Sequence, residues 1–288
     1  MASLKEVKSK ISGVQKTSQI TRAMNMVAAA KLRGAQEKME AFRPYTTKFN
    51  ETMSNLASSD SSGSFPLMEE REVKKVELIV FTSDRGLCGS FNANVVKEAW
   101  RQLKKYEAEG KEVTLLCIGK KGFQLLKNTG RVREGYKDIM GNFQMFHARD
   151  IASNVSTRFL AGEVDKVELI YGAFHSVAMQ RPAVAPLLPV VPHIPEGEKA
   201  GMSGDYIYEP SIDELMVTLQ PLYLNVQIYH AMLEVGASEQ AARMTAMDAA
   251  TTACKDIIGS LTTVYNKARQ AAVTNELLDI VGGAEALK

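Results

Sequence analysis

The sequence predicts a mixed α/β chain. A long antiparallel coiled coil of N- and C-terminal helices carries a Rossmann-like α/β domain inserted between them. Three observations support this. Residues 4–42 place apolar side chains at alternating three- and four-residue steps. Residues 212–278 do the same, with no proline after Pro221. Between the two, short β-rich apolar runs alternate with helical stretches. The expected divisions are 1–58, 76–195 and 211–286.

In the first segment Ser3 is a capping residue, with Glu6 three positions on completing a capping box. The 3–4 count selects Leu4, Val7, Ile11, Val14, Ser18, Thr21, Asn25, Ala28, Leu32, Ala35, Met39 and Phe42. That is a coiled-coil seam with a polar stretch at 18–25. Beside that stretch Ile20, Met24 and Val27 form an apolar stripe on a neighbouring face. It reads either as a wider buried face or as contact with another protein. Pro44 should kink or interrupt the helix. "SSDSSGSFP" (58–66) is a loop by composition.

In the middle, "VELIVFTS" (76–83), "EVTLLCIG" (112–119) and "KVELIYGAF" (166–174) are strand-like. "RVREGYKD" (131–138) and "PAVAPLLPV" (182–190) are further candidates. Helical stretches lie near 91–109, 120–128 and 147–162. The alternation predicts at least three parallel strands. Residues 190–205 read as loop.

The last helix starts near Ser211, a plausible cap, and Pro221 is expected to break its first turns from the rest. Its seam, counted from Ile212, passes Leu215, Leu219, Leu222, Val226, Tyr229, Leu233, Gly236, Gln240, Arg243, Met247, Ala250, Cys254, Ile257, Leu261, Val264, Ala268, Ala271, Asn275 and Leu278. About 60 residues of helix span about 90 Å, whereas a domain of ~120 residues has a radius of gyration near 14 Å. Two such helices at opposite ends of one domain pair antiparallel, and the longer C-terminal one runs on alone. A lone helical tip with apolar residues needs partner surface, because isolated helices take most of their stability from packing.

The totals are those of a soluble globular protein: 288 residues, 45% apolar, 24% charged, net charge +2. They give no bulk argument for nucleic-acid binding or membrane insertion. The first 43 residues are basic, with Lys5, Lys8, Lys10, Lys16, Arg22, Lys31, Arg33, Lys38 and Arg43 against Glu6, Glu37 and Glu40. No apolar run reaches the ~20 residues of a membrane span, and the N-terminus lacks a signal-peptide core. Three separated cysteines fit reduced thiols, and the histidines have no metal-ligand spacing. No cofactor or metal is expected.

The most enzyme-like stretch is "TSDRGLCGSFN" (82–92), a strand-to-helix turn of the kind where nucleotide loops occur. It has neither the spacing of a dinucleotide fingerprint nor that of a P-loop. A tight structural turn is the plainer reading, and Cys88 reads as a buried thiol. "GKKG" (119–122) reads as a turn with solvated lysines. No active site is found. A nucleotide-binding α/β enzyme and a static coiled-coil scaffold remain the rival readings.

Taken in order, "ITRAMNMVAAAKLRGAQ" (20–36), "TSDRGLCG" (82–89), "YIYEP" (206–210), "ASEQAARMTAMDAAT" (237–251) and "VYNKARQAAVTNELLDIVGGA" (264–284) resemble the gamma subunits of F-type ATP synthases. The last stretch carries that family's order of Thr274, Glu276, Asp279, Gly283 and Ala284. Asn25, Ala30 and Leu32 depart from its commoner Glu, Ser and Met. The absence of a cysteine-bearing insertion argues against thiol regulation, and a start without a transit peptide favours a bacterial type.

The resemblance implies a non-catalytic rotor shaft, one copy per complex, turning inside a hexamer of alpha and beta subunits. It further implies a base resting on the c-subunit ring beside epsilon, at the cytoplasmic face of the bacterial inner membrane, with no insertion into the bilayer. It implies beta-subunit contacts at the tip through Arg269, Gln270, Thr274 and Glu276. At the neck it implies them through Ile20, Met24, Val27, Arg22, Lys31 and Arg33. Contacts with the c ring or epsilon are expected through Arg43, Pro44, Tyr45, Tyr206, Tyr208 and Glu209.

Overall fold

The computed structural model of the chain describes residues 4–58, 65–190, 209 and 211–285. Helix α1 is Leu4–Ser58 and helix α5 is Ile212–Glu285. Between them come β1 (Lys75–Phe81), α2 (Phe91–Ala108), β2 (Glu112–Ile118) and α3 (Lys120–Leu126). They are followed by β3 (Val132–Tyr136), α4 (Met145–Leu160), β4 (Lys166–Ser176) and β5 (Met179–Leu188). Two compact units form, Met1–Ala29 with Arg243–Lys288, and Ala30–Ala242.

The larger unit holds a five-stranded sheet in the order β3-β2-β1-β4-β5. Strands β1 to β4 are parallel, and β5 returns antiparallel along β4. Only residues 177 and 178 separate β4 from β5. That is far too short for the crossover that a fifth parallel strand would need. Helices cover the sheet, so β1 and β2 are buried almost throughout instead of alternating. Leu78, Ile79, Leu115, Leu116, Ile151 and Phe159 are among the largest side chains sealed in this core.

Charged groups are buried with them. Glu77 of β1 is 0% exposed. Its Oε1 accepts hydrogen bonds from Arg133 Nε and Arg158 Nη1, each at 2.9 Å. Arg133 also donates from Nη2 to Asn154 Oδ1 at 2.8 Å. The carboxylate therefore ties β1 to β3 and α4. A second polar knot joins α2 to β4, where Tyr106 donates to Glu168 at 2.7 Å and Lys166 pairs with the same carboxylate at 2.8 Å.

The α1 seam lies where the 3–4 count puts it. All twelve positions from Leu4 to Phe42 are buried or half-buried. Pro44 does not interrupt α1, and Pro221 does not split α5. Both prolines are exposed, as are Glu40 and Val217 four residues before them. The carbonyls that lose a helical partner are thus on the wet side, where water can replace the missing N–H. Ser211 caps α5, its Oγ accepting the Glu214 N–H at 3.3 Å. Ser3 lies outside the described residues.

Within the smaller unit α1 and α5 meet through a polar layer. Thr21 and Thr251 share a hydrogen bond at 2.7 Å, and Asn25 Nδ2 donates to the Met244 carbonyl at 2.9 Å. Within the larger unit they meet through rings. Phe42 stands edge-on to Tyr229 at 5.0 Å, and Phe49 stacks on Tyr223 at 6.3 Å.

The α5 seam departs from the expected count beyond Cys254. Ile257, Val264, Ala271, Asn275 and Leu278 are exposed, while Ile258, Leu261, Tyr265, Ala268 and Ala272 face inward. The inward positions 250, 254, 258 and 261 take eleven residues for three turns. That is one extra four-residue step, after which 258, 261, 265, 268 and 272 resume the three-four alternation, with 258, 265 and 272 each one residue past the expected position.

Candidate functional site

From Val273 to Ala284 every residue is exposed. Ala272 is the last half-buried position of α5. Val273, Leu277, Leu278, Ile280 and Val281 are large apolar residues in this stretch, Leu278 at 63% exposure. At roughly 100° per residue their mean direction lies about 150° round the helix from the face that packs on α1. The stripe is therefore not a continuation of the coiled-coil seam. It is an apolar surface aimed elsewhere.

Arg269, Gln270, Thr274 and Glu276 all lie on this exposed end. Thr274 Oγ1 donates to the Gln270 carbonyl at 2.9 Å, which anchors its hydroxyl to the helix. Farther down α1, Ile20 is 60% exposed and Val27 is exposed, whereas Met24 is half-buried. Met26, overlooked in the sequence pattern, is as exposed as Ile20. Ile20 and Val27 are therefore not part of a wider buried face within this chain. Arg22 is exposed in the smaller unit; Lys31 and Arg33 are exposed in the larger. Arg33 pairs with Glu37 one turn on at 3.2 Å.

At the base, Arg43 and Pro44 join Glu40, Thr47 and Lys48 around an open groove of about 450 Å³. Tyr45 is exposed, with its ring leaning on Phe42 and Phe49. Glu209 is exposed; Tyr206 and Tyr208 lie outside the described residues.

The turn after β1 gives no support to a nucleotide site. Asp84 Oδ1 accepts the N–H groups of Lys120 and Asp138, and Oδ2 accepts that of Met140, at 2.8–2.9 Å. Ser83 N–H goes to Asn92 Oδ1 at 3.0 Å. These backbone donors, which a phosphate would require, are spent on the protein's own side chains. Gly119 closes the crossing at φ 96°; an added Cβ would lie 2.1 Å from the Thr82 carbonyl oxygen. Cys88 is buried against Ser83 and Asn92. Burial pushes the Cys117 thiol up to about 12, so it stays protonated and unreactive. Among the described residues no cluster of His, Cys, Asp or Glu could hold a metal ion, and no helix is long and apolar enough to cross a membrane.

Sequence reasoning also overlooked a junction in the larger unit. Glu234 of α5 accepts the Phe174 N–H of β4 at 2.7 Å, and His230 Nε2 lies 3.6 Å from its other oxygen. Burial holds the His230 imidazole below its ordinary range. Glu234 opposes that shift and Arg43 adds to it. Phe143 packs between α5 residues here, edge-on to Tyr229 at 5.9 Å and against Gly236. A Glu in a mostly apolar stretch of helix was the available signal.

A family model described as ATP synthase matches residues 3–287. The ATP synthase gamma chain of Desulfotalea psychrophila is 68% identical over 291 residues, covering 100% of both chains. That of Geobacter metallireducens is 46% identical over 288 residues, again covering 100% of both. Among solved structures, a central-stalk chain of the Tetrahymena thermophila mitochondrial ATP synthase is 28% identical with a TM-score of 0.60, covering 80% of this chain and 99% of that one. A chain of the Euglena gracilis enzyme shares the fold at TM-score 0.67 and 19% identity, covering 99% and 94%. The chain belongs to the ATP synthase gamma-chain family.

Proposed function

We infer that this chain is the central shaft of a rotary ATP synthase, a non-catalytic subunit that couples proton flow to the conformational cycle of three catalytic beta subunits. Its partners are the alpha and beta subunits, epsilon and the c-subunit ring. It sits as a peripheral subunit on the cytoplasmic face of a bacterial inner membrane. The observation that carries this reading is the exposed tip, whose apolar stripe faces away from the chain's own coiled coil.

An asymmetric shaft acts on its sleeve as a ligand does. It shifts each beta subunit between conformations only by contacting them differently, and rotation changes which subunit receives which contact. One proton crossing about 150 mV releases ~3.5 kcal/mol, so three supply on the order of 10 kcal/mol. That matches the whole folding stability of a typical domain, about 5–15 kcal/mol. The load is therefore shared along the helices.

At the tip, Arg269, Gln270, Thr274 and Glu276 hydrogen-bond to beta-subunit loops. At the neck, Ile20, Met24 and Val27 meet apolar beta-subunit surface, and Arg22, Lys31 and Arg33 face acidic segments. At the base, the groove at Arg43 and Pro44, together with Tyr45, Tyr206, Tyr208 and Glu209, seats the c ring or epsilon. The coiled-coil helices serve as shaft and the α/β domain as its foot.

Mixing the chain with alpha and beta subunits tests the reading directly: one copy should assemble with three of each into an active ATPase. A failure to assemble would overturn it. Within the complex, Arg33→Glu tests the neck. Arg33 is 86% exposed and its surface pair contributes only ~0–1 kcal/mol, so folding is spared. ATP-driven proton pumping should fall while ATP hydrolysis continues. Unchanged pumping removes Arg33 from the contact surface.

A further inference from the structure

Strand β4 outruns its parallel neighbour. The last pair with β1 is Val80 with Ile170, yet β4 continues to Ser176 alongside β5. Beyond Ile170 the edge of β4 turned away from β5 has no strand beside it. One side chain covers the face of the strand here, and another fills its open edge. The Phe91 ring lies over Gly172, where an added Cβ would come within 2.3 Å of it. Two residues on, the Phe174 N–H meets the Glu234 carboxylate at 2.7 Å. A side chain of the C-terminal helix thus stands where a strand carbonyl would be.

We propose that Glu234 is the positioning residue that fastens the α/β domain to the C-terminal helix, so that the domain and helix turn as one body. This rests on the central-shaft reading. Apolar contacts stand beside it, with Phe143 packed against Tyr229 and Gly236. Apolar packing is non-directional and resists sliding poorly. A hydrogen bond is directional and weakens steeply when donor and acceptor are displaced. Glu234 is buried, so water is poorly placed to substitute for it. Its second oxygen is held near His230, one turn back on the same helix, which limits the carboxylate's freedom to swing away. Reach decides whether the bond forms. Aspartate is one methylene too short to reach the strand, whereas glutamine keeps both the reach and an acceptor oxygen.

The test uses the complete membrane-bound complex carrying E234A, E234D or E234Q. Two quantities are read: protons pumped per ATP hydrolysed, and hydrogen exchange at the Phe174 amide. E234A and E234D should lower pumping per ATP by about threefold and speed Phe174 exchange by about tenfold. E234Q should stay within about twofold of the parent on both. Parent-like coupling in E234D, or E234Q as poor as E234A, overturns the proposal. If E234A does not assemble, the contrast between Asp and Gln decides in the same way. A parent complex that hydrolyses ATP without pumping sinks the shaft reading itself. A pumping parent matched by every variant sinks only the role of Glu234.

Discussion

Leu115 and Leu278 are the same side chain in opposite circumstances. Leu115 sits in β2 at 0% exposure, among the residues that hold the sheet together. Leu278 sits in the last turns of α5 at 63% exposure and touches little of its own chain. Burying a leucine contributes about 1.5–3 kcal/mol. The sheet collects that within the subunit, whereas the tip can collect it only from a partner. The domain is thus built to be rigid alone, and the tip is stable once sheathed.

That contrast can be broken or sharpened by substitution, and the largest effect belongs to the domain. Glu77→Ala removes the carboxylate that Arg133 and Arg158 share, though Arg133 keeps Glu134 and Arg158 keeps Glu163, and should destabilise the chain by about 1–3 kcal/mol. Urea denaturation of the isolated chain measures this, and a loss under ~1 kcal/mol would show that the cluster is not structural.

A smaller effect is expected at the junction. Burial keeps His230 neutral by lowering its pKa from the ordinary 6.5. The unfolded chain therefore takes up the proton first as pH falls, and unfolding gains by it. Stability is intact above 6.5 and declines as pH drops from there toward the folded value. His230→Gln should flatten that slope in denaturation curves recorded across the window.

At the tip the effect on folding is the least. Leu278→Ser should move the urea midpoint by under ~0.5 kcal/mol equivalent yet weaken association with the alpha and beta subunits. A large loss of stability would mean that the tip packs on its own chain after all.

Much of this arrangement was legible in the residues. The α1 seam could be read because its apolar residues keep to one periodic face and its polar members, Thr21 and Asn25, have partners across the seam. The strands were legible as apolar β-branched runs, and Asp84 and Gly119 marked the turns without revealing how they interlock. Beyond Cys254 the count failed because one extra four-residue step, from Cys254 to Ile258, shifts alternate seam positions by a residue, and a strict heptad count cannot anticipate such an insertion. Pro44 and Pro221 misled because proline was judged by its missing donor and not by which side of the helix it occupies. The Glu234 contact lies 60 residues from Phe174 and leaves no periodic trace in either segment.

The placement of the tip's apolar residues has one more consequence. On the helical wheel, Val273, Leu277, Ile280 and Val281 cluster on one side, while Asn275, Glu276 and Asp279 fall on the other. To a fixed observer beside it, the end of α5 is a cam. Half a revolution of the helix would exchange hydrocarbon for carboxylate and amide at any surface placed beside it.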